Sequence, residues 1–114
     1  MNIQGKLVII GGAVDKGSFT ETDLDKNASN NLNFFEKGIL KRILDESKHK
    51  NESRIEVITT ASKIPREIGP EYVKAFSYLG AHNVDVLYIE KREQASEPEI
   101  LERLKAADVV MFTG

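Results

Sequence analysis

Four short Val- and Ile-rich runs, spaced by stretches of helical periodicity, do most to limit what this chain can fold into. They are LVII (7–10), IEVIT (55–59), VDVLYI (84–89) and VVMF (109–112). The first and last are continuously apolar, the pattern of strands covered on both faces of a parallel sheet. Each is far too short to cross a membrane or to serve as the core of a signal peptide.

Three helical patterns fill the gaps. Near 34–48, Phe35, Ile39 and Ile43 step by four with Leu40 and Leu44 beside them, forming one apolar stripe. Asn33 and Glu36 have the spacing of a helix start. In PEYVKAFSYLG, Pro70 suits a first helical position, Tyr72, Val73, Phe76 and Leu79 form a face, and Gly80 suits the stop. Near 97–107, Ser96 and Glu99 have capping-box spacing, and Ile100, Leu101, Leu104 and Ala107 are expected to face inward.

The order β-α-β-α-β-α-β predicts an α/β fold, a parallel sheet between helical layers joined by right-handed crossovers. The whole of 1–114 reads as a single partial α/β domain. Residues 17–31, rich in Asn, Asp, Thr and Ser, read as an exposed polar loop. A net charge of −2 gives no reason to expect a nucleic-acid partner. The absence of cysteine excludes disulfides, a thiol nucleophile and cysteine-bound zinc. With no export or lipidation signal in view, the expected location is the cytoplasm.

Ligands of open α/β sheets bind outside the carboxyl ends of the strands. That rule selects GGAVDK, TASKIP, EKREQA and the terminal TG. Gly11 and Gly12 are adjacent, so the dinucleotide pattern G-x-G-x-x-G is absent. A phosphate loop from Gly12 to Gly17 fails at Ser18 and Phe19, where lysine and a hydroxyl should stand. Asp15 and Lys16 either face the cleft or form a solvated turn pair. Thr60 and Ser62 place hydroxyls at the end of the second strand. Ser62 is a poor nucleophile, because an S-x-x-K pattern would need lysine where Pro65 stands, and no G-x-S-x-G elbow exists in the chain. It reads as a turn former or a hydrogen-bond donor to a ligand. Arg92 is either a carboxylate fork or a surface arginine. His49 and His82 belong to the opposite edge, and no spacing suggests a metal site or a cofactor.

Taken together, GKLVIIGGAVDK, ILKRILDES, RIEVITTASKIPREIGPEYVKAFSYLGAHNVDVLYIEKREQA and LKAADVVMFTG resemble the start of the cyanophycinases. These are serine peptidases with a three-layer flavodoxin-like, class I glutamine amidotransferase-like sheet. The resemblance spans nearly the whole chain outside 17–31, from Thr60 to Pro65 and Gly69 to Gly80 most closely. Val14 departs from it, standing where the family has an acidic residue. The resemblance implies hydrolysis of cyanophycin, an aspartate backbone carrying arginine on each side-chain carboxylate, to β-Asp-Arg dipeptides. It implies a substrate-lining role for Asp15, Lys16, Thr60, Ser62 and Arg92. Gly114 would begin the oxyanion loop. It also implies a homodimer, and a nucleophile and histidine that lie outside these residues, so that the chain is expected to be an amino-terminal part, inactive alone. The competing expectations are a small-metabolite binding module without catalysis, or an inactive truncated product.

Overall fold

The computed structural model describes residues 5–10 and 38–114. Its elements run α1 (Ile39–Glu46), β1 (Arg54–Ile58), α2 (Pro65–Tyr78), β2 (Asn83–Leu87), α3 (Pro98–Ala106) and β3 (Val109–Phe112), with short 3₁₀ turns at Lys50–Glu52 and Arg92–Ser96. The three strands form one parallel sheet in the order β2-β1-β3. This is the α/β class expected from the alternation, and it is consistent with part of a flavodoxin-like fold.

β1 lies in the centre, and its sequence shows why. Ile55, Glu56, Val57 and Ile58 are all buried, as a strand covered on both faces requires. Side chains alternate along it. Ile55 and Val57 join Leu40, Ile43 and Leu44 of α1 and Tyr72, Ala75 and Phe76 of α2 in the larger core. Ile58 joins Leu87 and Ile100 in a smaller core under α3. Helices therefore cover both faces, α1 and α2 on one and α3 on the other.

The face under α3 holds a group that hydropathy alone would not place there. Glu56 is fully buried in the middle of β1. A buried carboxylate is tolerable only when paired and hydrogen-bonded. Arg103 of α3 supplies that, donating from Nε at 3.2 Å and Nη2 at 2.7 Å. Nη2 also reaches Val86 O at 3.3 Å and Asp85 at 3.3 Å. The hydrogen bond to Glu56 raises the Arg103 pKa above its ordinary value, against the opposing effect of burial.

Several local expectations are corrected. Residues 7–10 form no strand: they run beside α1 with no sheet pairing among the described residues, and Leu7 and Ile9 are exposed. β1 already has a partner on each edge, so the central position is full. Ile10 still packs against the larger core, and Lys6 pairs with Glu46 of α1. The second helix starts at Pro65, not Pro70; Pro70 lies inside it. Gly69 precedes Pro70, and its missing Cβ relieves crowding before the ring. Ser96 does not cap α3: it ends a 3₁₀ turn, and Glu97 stands at the N-cap without a side-chain cap bond. Ile39 and Leu101 are exposed rather than packed inward. Asn33 and Glu36 lie outside the described residues. The stop at Gly80 is as expected. Gly80 has φ +99°, its N–H donates to Ser77 O, and Ala81 N–H donates to Phe76 O, closing a Schellman motif.

Candidate functional site

In the order β2-β1-β3, β1 leads into α2 on one face and β2 leads towards α3 on the other. Two neighbouring strands whose exits part in this way open a crevice at their carboxyl ends, the favoured ligand position in α/β sheets. The candidate site is therefore built from residues 59–66, 88–92 and the end of β3.

The first loop is held by its own hydroxyls. Ser62 N–H donates to Thr59 O at 3.0 Å, and Ser62 Oγ accepts from Ile64 N–H at 3.1 Å. Ser62 is thus engaged as a turn former that fixes the entry to α2. Thr60 Oγ1 donates to Ile89 O at 2.8 Å, tying the loop after β1 to the loop after β2. The second loop is fixed by Gln94, whose Oε1 accepts from the N–H groups of Glu90 and Lys91, both at 2.7 Å. Arg92 is exposed and begins the 3₁₀ turn.

At the third strand, Thr113 N–H donates to Ile58 O at 3.0 Å, extending the β3 pairing beyond Phe112. Thr59 and Thr113 are both buried, and neither Oγ1 has a hydrogen-bond partner among the described residues. Gly114 is exposed beside them. Thr60, Ser62, Arg92 and Gly114 thus all stand on the carboxyl-terminal edge, as their positions after strands predict. Asp15 and Lys16 lie outside the described residues.

Sequence reading missed a second cluster on this edge. Arg66, in the first turn of α2, lies with its guanidinium carbon 3.9 Å from the Tyr88 ring centroid and pairs with Glu90 at 3.0 Å. Starting the helix at Pro70 left Arg66 in an unassigned loop. Reading VDVLYI (84–89) as one strand hid Tyr88, which follows the strand end at Leu87. Pro65, a residue suited to a first helical position, was the signal that would have placed Arg66.

The opposite edge is tied together by hydrogen bonds. Asp108 accepts from Arg54 N–H at 2.9 Å and meets His49 Nδ1 at 3.1 Å, while Asp108 N–H donates to Arg54 O at 2.8 Å. The Arg54 N–H, then the His49 ring, holds the Asp108 carboxyl below its ordinary pKa. His82 stands 3.6 Å from Glu52. His49 and His82 both lie at this opposite edge, so no histidine stands beside Ser62. Among the described residues no group of three His, Asp or Glu could hold a metal ion, and no helix is long and apolar enough to cross a membrane.

Comparison with known proteins adds a relationship to this geometry. No protein-family model matches the chain. Two curated proteins called cyanophycinase, from Trichormus variabilis and a Nostoc species, are each 34% identical to it over 64 residues. The matched segment is 56% of this chain and 22% of the length of either relative.

Proposed function

We propose that this relative of the cyanophycinases forms one wall of the substrate cleft in a serine-type peptidase that cuts cyanophycin to β-Asp-Arg dipeptides. The observation that carries this reading is the 34% identity to two cyanophycinases. An α/β sheet with hydroxyls and cations on its carboxyl-terminal edge supports it. The relatives support the peptidase part of this reading, and the serine type and the substrate are its finer part.

In this mechanism the chain positions the substrate and does not attack it. Thr60 and Ser62 shape the loop after β1, and their bonds to Ile89 O and Ile64 N–H keep it rigid. A fixed loop lowers the entropy lost when a reacting bond is aligned. Asp15, Lys16 and Arg92 are proposed to contact the charged side chains of the polymer. Gly114 is proposed to open the loop whose N–H groups stabilise the developing oxyanion. The chain holds no G-x-S-x-G elbow, so the nucleophile and its histidine are proposed to come from residues outside these 114. The enzyme is further proposed to act as a cytoplasmic homodimer, without a cofactor.

The test is incubation of the full-length protein from its host with purified cyanophycin, with mass-spectrometric detection of β-Asp-Arg. Release of the dipeptide, abolished by a serine-directed fluorophosphonate, is the expected result. An intact polymer under conditions where a known cyanophycinase digests it would overturn the reading.

A further inference from the structure

Arg66 differs from the other cations of the carboxyl-terminal edge in being fixed without being covered. The Tyr88 ring supports its guanidinium at 3.9 Å, and Glu90 Oε1 accepts from Nη2 at 3.0 Å, yet the side chain stays 65% exposed. Tyr88 is itself held closely. Its hydroxyl lies 2.9 Å from where a Cβ on Gly69 would stand, so the side chain fits against bare helix backbone. Glu90 is in turn anchored through its N–H to Gln94 Oε1 at 2.7 Å. Glu90 is the acceptor Arg66 uses among the described residues, which leaves other N–H groups of the planar fork available.

A guanidinium fork matches a carboxylate with two parallel hydrogen bonds, and an arginine already ordered loses less freedom on binding. The geometry points to Arg66 as the group that receives a carboxylate of the bound peptide, and so as a specificity-determining residue of the crevice. The identity of that peptide rests on the peptidase reading above. An arginine joined through its amine to an aspartyl side chain keeps its own carboxylate free, so every arm of such a polymer presents the group Arg66 is shaped to take. Glu90 orients the fork and, beside it, offers a counter-charge to the arm's guanidinium.

The test is an NMR titration of the 114-residue chain with β-Asp-Arg and with the same dipeptide amidated at the arginine carboxylate. The expected result is movement of the Arg66 Nε–H signal and of the amides of Tyr88 to Lys91 with the free acid. Binding of the amide should be at least about tenfold weaker, corresponding to about 1.4 kcal/mol. Arg66→Lys keeps the charge but loses the fork and should weaken the free acid as much, with an unchanged thermal midpoint. Equal binding of acid and amide, shifts confined to other residues, or no binding of either dipeptide would each overturn the assignment. The two proposals fail separately. Discrimination between dipeptides by a protein that leaves cyanophycin uncut ends the peptidase reading and keeps Arg66. Cleavage by a full-length Arg66→Lys variant at wild-type kcat/KM ends the Arg66 assignment and keeps the peptidase.

Discussion

Glu56 and Arg103 are the pair through which single residues affect this molecule most. Removing Arg103 leaves the buried Glu56 carboxylate only the longer contact to Arg54 Nε at 3.5 Å. Arg103→Met should therefore cost about 3–5 kcal/mol in urea unfolding. Replacing both with leucine should recover most of that loss, because it removes the desolvated charges together. If the single and double variants lose equal stability, the pair does not act as a unit. Asp108 gives a second prediction, and its sign follows from the direction of its pKa. The folded carboxyl is lowered by Arg54 N–H and His49, so its stabilisation is complete above the unfolded carboxylate value of about 4 and fades as pH falls through the lower folded value. Asp108→Asn should lower the thermal midpoint at pH 7, and the gap to wild type should close in acid. A gap that stays constant down to pH 2 would show that the charge is not what matters. Neither Glu56–Arg103 nor Asp108–Arg54 was visible in the sequence, because each joins residues far apart in the chain. The positions of Thr60, Ser62 and Arg92 were visible, because a residue following a strand lies at that strand's carboxyl edge whatever its partners are.

At the scale of elements, α2 shows both how far local signals reach and where they stop. Its end was legible because Gly80 answers a backbone demand, a φ of +99° that a Cβ opposes. Gly80→Ala should cost about 1–2 kcal/mol, with the added methyl also pressing on Asn51 Nδ2 3.0 Å away. An unchanged midpoint in thermal melts would count against the Schellman stop. The start of α2 was misplaced because two prolines compete for one signal, and a proline near a helix start is tolerated at more than one position. The strands IEVI, VDVL and VVMF were found by their apolar runs, and α1 by its buried Leu40, Ile43 and Leu44. LVII has the same composition but no place beside β1. Whether an apolar run becomes a strand depends on what the rest of the fold brings beside it, which is a property of the whole chain and not of the run.

For the whole molecule, the consequence lies at the outer edge of β3. Val110 and Phe112 point to the face that α3 leaves uncovered there, and Phe112 is 75% exposed. An apolar strand whose outer edge is unpaired among the described residues invites pairing with another chain. Sedimentation velocity of the 114-residue chain should show association that grows with concentration, and Phe112→Lys should suppress it. A monomer at every concentration would remove this prediction. The central place of β1 also sets a timetable. β1 is the first of the three strands to be synthesised, yet it is flanked by β2 and by β3, which is completed only at Phe112. A chain emerging from the ribosome must hold its most buried strand with one edge bare until Phe112 has appeared. Long-range pairing of this kind forms slowly. The strand that anchors the finished sheet is therefore the one a chaperone would have most reason to shelter during synthesis.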